Sequence, residues 1–179
     1  MHQTELEERI RNIELLLLDV DGVLTDGRIT FVPDGDKLVE LKFFHVQDGA
    51  GIALAHRVGL RTGIISGRSS PIVEQRAREL SIGLVYLGKM NKLAVLDEII
   101  EKTAIPAERM CFVGDEVVDL PVMHRVGFSV AVANACRDVT SRAAYVTRAA
   151  GGEGAVREVI ELILRTQGKW DEAIEEFLR

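Results

Sequence analysis

The stretch Ile13-Glu14-Leu15-Leu16-Leu17-Leu18-Asp19-Val20-Asp21-Gly22-Val23-Leu24-Thr25 decides the fold of this chain. Its apolar part, Ile13–Leu18, reads as a buried strand. Two carboxylates two residues apart, Asp19 and Asp21, leave the carboxyl end of that strand. Gly22 then turns the chain, and the hydroxyl residue Thr25 follows. In open α/β sheets this edge is where ligands bind. An isolated Asp-x-Asp also occurs in solvated acidic turns, sugar-nucleotide sites and calcium loops. The preceding strand and the following glycine set this one apart.

Outward from that strand the chain alternates. Arg61–Ile65, Arg109–Val113 and Phe128–Val132 read as further short buried strands, and Gly49–Val58, Pro71–Leu80, Lys92–Lys102, Leu120–Arg125 and Val156–Thr166 as helices. Lys92–Lys102 carries Leu93, Leu96, Ile99 and Ile100 on one stripe with charges opposite. Gly59, Gly83 and Gly127 are placed as glycines that follow helix ends. The alternation predicts an α/β fold, a parallel sheet with helices on both faces, in one domain spanning 1–179. One segment interrupts the rhythm. Arg28–Val32 and Lys37–Phe43 flank Pro33-Asp34-Gly35-Asp36, which predicts a protruding β-hairpin over 28–43 between the first strand and the first sheet-covering helix. Its many apolar residues need a partner, because a two-stranded ribbon is marginal alone. The tail 168–179 spaces Trp170, Ile174, Phe177 and Leu178 as a short amphipathic segment that also needs something to pack against.

With 179 residues, 47% of them hydrophobic, the chain is long enough for a substantial core. A net charge of −6 and no cluster of Lys and Arg argue against nucleic acid or a membrane surface as partner. If the ligand is an anionic phosphate, local cations must counter that charge, and a divalent metal is the obvious one. Cys111 and Cys136 form neither a metal spacing nor a disulfide framework, and Cys111 reads as an inert core thiol. The polar first residues do not read as a signal peptide and no apolar run reaches membrane-spanning length, so a cytoplasmic location is expected.

Phosphoryl transfer needs a nucleophile, a metal, donors to the phosphate and an acid for the leaving oxygen. Asp19 can serve as nucleophile and metal ligand together. Asp21, displaced by the turn, can protonate the leaving alkoxide and then activate water. Ser66 ends the strand Arg61–Ile65 and precedes Gly67, which points a hydroxyl and backbone amides at an anion; Ser is also a common helix cap. Lys92 opens its helix against the helix dipole, a placement that suits a phosphate better than solvent, and Lys89 is its nearby competitor. Asp115 follows the apolar run Met110–Val113 and reads as a direct ligand of Mg²⁺. Asp119 is better placed to orient Lys92 or a metal-bound water. Glu116 reads equally as a water-mediated ligand or a solvated charge.

Asp19 and Asp21, Ser66, Lys92, and Asp115 with Asp119 stand in the order of the four motifs of the haloacid dehalogenase (HAD) superfamily, which the chain resembles. That resemblance implies a Rossmann-like core, an aspartyl-phosphate intermediate, and Mg²⁺ held by the side chains of Asp19 and Asp115 and the backbone carbonyl of Asp21. Over roughly residues 13–170 the chain is similar to a small capless HAD branch, the 3-deoxy-D-manno-octulosonate 8-phosphate (KDO 8-phosphate) phosphatases. Asp19–Gly27, Phe44–Gly49, Ser66-Gly67-Arg68 with Arg76, Gly151–Val159 and Gln167–Trp170 carry this similarity. It implies hydrolysis of that sugar phosphate in lipopolysaccharide precursor synthesis, and a homotetramer joined through the hairpin, with the tail reaching a neighbouring site. It also implies that Asp21, His45, Val46, Gln47, Asp48, Gly49, Arg68, Arg76 and Lys92 contact substrate. Some relatives carry Asn and Arg where His45 and Gln47 stand, and a basic residue at Ala53. The sibling acting on 2-keto-3-deoxynononate 9-phosphate tends to have Glu where Arg68 stands, so Arg68 favours KDO 8-phosphate.

Plainer readings remain beside these. Arg68 and Arg76 can be surface charges, His45 can merely hydrogen-bond at the hairpin base, His56 and His124 read as helix-surface residues, and the tail can cap its own subunit. A phospho-acceptor receiver domain also uses a strand-end Asp with Mg²⁺, but it needs no acid two residues later, and Asp21 argues against it. A catalytically dead scaffold has no need of the full motif set.

Overall fold

The computed structural model describes residues 3–178. Six parallel strands form one sheet in the order β5-β4-β1-β6-β7-β8: β1 (Leu15–Leu18), β4 (Arg61–Ile65), β5 (Leu84–Tyr86), β6 (Met110–Gly114), β7 (Phe128–Ala131) and β8 (Tyr145–Val146). All four residues of β1 are fully buried, because the strand is central and covered on both faces. Alternation sends them to two different cores. Leu16 and Leu18 join Ile52, Val73, Cys111, Val113, Val156 and Ile160 on one face. Leu15 and Leu17 join Val95, Leu96, Ile99, Phe112 and Val122 on the other.

The first face is covered by α1 (Gln3–Arg11), α2 (Val46–Arg57), α3 (Pro71–Glu79), α7 (Ala155–Thr166) and α8 (Trp170–Ile174). The second is covered by α4 (Lys92–Thr103) and the short α5 (Leu120–Met123) and α6 (Arg137–Thr140). The stripe predicted on α4 is the one that packs, with Leu96 and Ile99 fully buried and Leu93 and Ile100 at its margin. Burial pushes the Cys111 thiol well up, as suits an inert core residue. Among the described residues no helix is long and apolar enough to cross a membrane.

The hairpin is a separate two-stranded antiparallel sheet, β2 (Thr30–Asp34) with β3 (Lys37–Leu41), turned by Gly35 and Asp36 alone. Ile29, Phe31, Leu38, Val39, Leu41 and Phe43 are exposed on it.

Several expectations need correction. The central strand begins at Leu15, because Ile13 still closes the turn after α1 through its amide to the Ile10 carbonyl. α2 starts at Val46, three residues before the expected Gly49, with His45 as its extended N-cap. Of the three punctuating glycines only Gly59 is left-handed (φ 80°); after α3 and α4 that conformation falls to Ser81 and Ala104. Gly127 serves instead as a close-approach point against the Glu108 backbone. His56 is half-buried and shares a 2.6 Å hydrogen bond with the Thr62 hydroxyl, so it is not a surface residue. The first turn of the tail packs on its own chain: Trp170 and Ala173 are buried, Arg157 and Arg165 lie over the indole, and Lys169 Nζ donates to the Val58 carbonyl at the far end of α2, while Phe177 and Leu178 are exposed.

Candidate active site

Register aligns the functional strand ends. Leu18 pairs with Ile64 of β4 and with Val113 of β6, so Asp19, Ser66 and Asp115 all leave the sheet at one edge. The Asp19 amide donates to the Val113 carbonyl at 3.1 Å, and the Ser66 amide to the Tyr86 carbonyl at 2.9 Å. From β1 the chain works outward through β4 and β5, then crosses to β6 on the other side. The β1/β6 edge is therefore the switch point where α/β sheets open a crevice.

Gly22 makes the turn after Asp19 possible. It holds φ 93°, and a Cβ there would collide with the Asp115 carboxylate. The buried Thr25 hydroxyl fastens the loop, donating to the Val20 carbonyl and accepting from the amides of Gly22 and Gly27. The Gly-rich loop braces it from outside. The Gly152 amide donates to the Val23 carbonyl, the Gly151 amide to Asn134 Oδ1, and side chains at 151 or 152 would strike that backbone.

Lys92 is the electrostatic centre. Only 3% exposed, its Nζ lies 2.8 Å from Asp19 Oδ1 and 2.7 Å from Asp119 Oδ1. Burial works against its charge, but the two carboxylates outweigh that and raise its pKa. Asp119, wholly buried, uses its other oxygen to accept from the amides of Asp115 and Glu116. Burial, offset in part by Lys92 and reinforced by Asp119, brings Asp19 up to about 6. Burial with the charges of Asp19 and Asp119 brings Asp115 to about 7. Glu116 is exposed, and its carboxylate caps its own turn by accepting from the Val117 amide. Lys89 is exposed and contributes its amide to the Ser66 carbonyl, so Lys92 is the lysine of the cluster.

Asp21 stands apart from that cluster. It pairs with Lys42 Nζ, and Arg68 Nε lies 3.9 Å from its other oxygen. Glu40 accepts from Arg68 at 2.6 Å and from the Ser70 hydroxyl at 2.9 Å. Neither Glu40 nor Lys42 was singled out in the sequence. The available signal was the alternation Val39-Glu40-Leu41-Lys42-Phe43, in which the charges sit one residue out of step with the apolar positions.

The third group surrounds the first turn of α2. The Asp48 carboxylate is buried: Oδ1 accepts from the Arg157 amide at 2.7 Å, capping α7, and Oδ2 has no hydrogen-bond partner. Burial raises its pKa against those amide bonds. Arg76 lies over Gly49 and the Phe44 ring, pairs with Glu79 at 3.2 Å, and keeps a buried Nε without a hydrogen-bond partner. His45 Nδ1 is likewise buried and unpartnered, beside Gly154 and near Gln47, while Val46 is exposed. The structure thus joins Asp19, Lys92, Asp115 and Asp119 in one cluster, joins Asp21 with Arg68 in a second, and gathers His45, Asp48, Gly49 and Arg76 in a third.

A haloacid dehalogenase-like hydrolase family model matches residues 80–160. The 3-deoxy-D-manno-octulosonate 8-phosphate phosphatase KdsC of Escherichia coli strain K12 is 50% identical over 165 residues, covering 92% of this chain and 86% of that protein. The chain belongs to the KDO 8-phosphate phosphatase family. A probable yrbi family phosphatase from Pseudomonas syringae superposes with a TM-score of 0.94 at 45% identity, covering 99% of each chain. The KDO 8-phosphate phosphatase of Moraxella catarrhalis, solved with magnesium, phosphate and KDO, gives 0.93 at 38% identity, covering 98% of this chain and 99% of that one.

The donor set of this KDO 8-phosphate phosphatase family member fits Mg²⁺. Asp19, Asp115 and Asp119 bring carboxylate oxygens within 4.8 Å of one another. Asp115 Oδ1 is buried without a hydrogen-bond partner, and the missing side chain of Gly22 leaves its carboxylate room. Both Asp119 oxygens are already engaged, which leaves Asp19 and Asp115 as donors to an ion.

A stability signature follows. Folding raises Asp19 and Asp115 from 3.8 to about 6 and about 7, so the folded chain binds those protons more tightly than the unfolded one. Metal-free stability therefore falls as pH climbs from 3.8 through 7, and the penalty is complete above that. Asp115→Asn should raise the metal-free melting temperature at pH 8 by about 2–4 °C, roughly 1 kcal/mol after solvent screening, and should abolish the stabilisation by added Mg²⁺. Thermal melts with EDTA or Mg²⁺ at pH 5 and pH 8 measure both effects. A metal-free Asp115→Asn protein less stable than wild type at pH 8 would refute the repulsion argument.

Proposed function

We propose that this chain is a Mg²⁺-dependent phosphomonoesterase that hydrolyses KDO 8-phosphate to KDO and phosphate in lipopolysaccharide precursor synthesis, in the cytoplasm. The observation that carries the reading is the buried Lys92 clamped between Asp19 and Asp119, with the Asp115 carboxylate alongside. Such a cluster is unstable by itself and gains from a cation and a phosphate together. Asp19 attacks phosphorus with the oxygen not held by Lys92, and the sugar oxygen departs with a proton from Asp21. Asp21 then takes a proton from water, which attacks the aspartyl-phosphate and frees Asp19 and inorganic phosphate. Lys92 and the Ser66 hydroxyl meet the charge that builds on the phosphoryl oxygens. Mg²⁺ would be held by the side chains of Asp19 and Asp115 and the backbone carbonyl of Asp21, and would neutralise part of that charge. Asp119 acts through Lys92 and the Asp115 backbone.

Arg68 beside Asp21, and Arg76 over the first turn of α2, are assigned to the sugar acid, together with His45 and Gln47. The test is a phosphatase assay over sugar phosphates that include KDO 8-phosphate and 2-keto-3-deoxynononate 9-phosphate. KDO 8-phosphate should be the best substrate. Arg68→Ala or Arg76→Ala should lower kcat/KM for it by about 10–100-fold, the worth of one charged hydrogen bond, and should spare p-nitrophenyl phosphate. Equal losses on both esters would move these arginines to the phosphoryl site.

We further assign the exposed apolar residues of the hairpin, which stand on both faces of the ribbon, to self-association in a homotetramer. The apolar groups on it exceed what a lone ribbon can carry. Phe31→Glu and Leu41→Lys should shift the protein to smaller species in sedimentation velocity. An unchanged sedimentation coefficient for both would exclude the hairpin as the interface.

A further inference from the structure

At the base of its second strand the hairpin turns two charges inward. From Val39 to Phe43 the chain alternates strictly. Val39, Leu41 and Phe43 are exposed, whereas the side chains of Glu40 and Lys42 are only 16% and 1% exposed. Over this stretch the charges turn in and the apolar groups out, the reverse of the usual arrangement of a half-buried strand. Further out on the same face as Glu40, Phe31 opposite it and Leu38 are exposed. A lysine this deeply buried needs a compensating charge, and Lys42 has two, Asp21 and Glu40 at 3.5 Å. Arg68 contacts the same two carboxylates from the β4–α3 loop, at 3.9 Å to Asp21 and 2.6 Å to Glu40. Two anions and two cations thus alternate around a closed ring with no net charge, and Ser70 Oγ steadies Glu40 from outside.

We propose that Lys42 is a positioning residue for the reaction: it holds the Asp21 carboxylate in its working orientation, and Glu40 holds Lys42 and Arg68 in register with it. Asp21 lies on a glycine-hinged loop and makes no hydrogen bond to Lys92, Asp115 or Asp119 among the described residues. Its orientation is set by Lys42 and Arg68. Of these, the Arg68 side chain is 40% exposed and is itself assigned to the sugar acid, whereas that of Lys42 is 1% exposed, so Lys42 is the fixed support. The hairpin accordingly completes the active site of its own chain, independently of any role in assembly. Losing the Lys42 ammonium leaves Glu40 and Asp21 competing for Arg68, which misplaces Asp21 and draws Arg68 away from the sugar. The inference rests on the phosphatase reading and on Asp21 as its acid and base.

The test is a double-mutant cycle in kcat on KDO 8-phosphate with wild type, Lys42→Met, Asp21→Asn and the double variant, with melting temperatures recorded for all four. Lys42→Met should lose about 10²-fold, within the range for a displaced general acid. In the Asp21→Asn background the same change should cost no more than about twofold, because the group it positions is already gone. A residue that merely supported the fold would lower both backgrounds by the same factor. If Lys42→Met does not fold, Glu40→Gln takes its place in the cycle, with a smaller loss and the same non-additivity expected. Independent losses in either cycle, or a fully active Lys42→Met protein, overturn the inference while leaving the phosphatase reading intact. A wild-type protein without Mg²⁺-dependent phosphatase activity overturns both.

Discussion

Asp19→Asn is expected to lose at least ~10³-fold in turnover, because the substitution removes at once the oxygen proposed to attack phosphorus and a charge proposed to hold the ion. The loss should appear equally on KDO 8-phosphate and on an activated aryl phosphate, since every ester must be attacked by the same group. That uniformity distinguishes it from the losses expected at Arg68 and Arg76, which follow the sugar. The variant should remain folded. Lys92 keeps Asp119 at 2.7 Å, and the substitution removes a carboxylate whose own burial opposes its ionisation. Mg²⁺ should stabilise Asp19→Asn less than wild type in thermal melts. A folded Asp19→Asn protein that turns over KDO 8-phosphate at a near wild-type rate would show that another group attacks phosphorus.

Lys92→Met should damage stability as well as activity. The ammonium stands between Asp19 and Asp119 with 3% of its surface exposed, and also lies 5.9 Å from the centre of the Phe112 ring. Its removal leaves two buried carboxylates without their cation, beside a third at Asp115. Breaking a buried pair from one side costs about 3–5 kcal/mol, roughly 10 °C in melting temperature for a chain of this size. The loss should be largest for the metal-free protein at pH 8. It should shrink on adding Mg²⁺, which restores positive charge. It should shrink again towards pH 5, because protonating carboxylates whose folded pKa values are raised favours the folded state. Turnover should fall by about 10²–10³-fold even with saturating Mg²⁺, as for loss of one preorganised charge at a developing anion. Melts across pH with EDTA and Mg²⁺ test this directly. A stability loss that ignores both pH and metal would show that Lys92 matters only for packing.

These two residues differ in how openly the sequence displays them. Asp19 follows four leucines and precedes Asp21 and Gly22, so its position at a strand end can be read from adjacent residues alone. Lys92 can be located as a helix-opening lysine, but its burial cannot, because its partners Asp19 and Asp119 are distant in the chain and meet it only through strand register. Asp48 makes the same point from the other direction. Its place in the Phe44–Gly49 resemblance implies substrate contact, and nothing near it in the chain shows that one of its oxygens caps α7, an element that begins more than a hundred residues later.

By itself the sequence determined the parallel α/β architecture, the protruding hairpin, and the strand-end placement of Asp19, Ser66 and Asp115. Each of these rests on local periodicity or on a turn within a few residues, and such signals are contiguous in the chain. The tertiary structure alone decided the rest. It docked Trp170 on its own subunit, bound the Glu116 carboxylate to its own turn, and turned Glu40 and Lys42 inward while leaving Val39, Leu41 and Phe43 exposed. Period-two alternation states that two faces of a ribbon differ, but not which face meets the protein. That choice is settled by the charges across the gap. Here Asp21 and Arg68 stand at the sheet edge and pair with Lys42 and Glu40, which leaves Val39, Leu41 and Phe43 on the opposite side of that strand, exposed in the single chain.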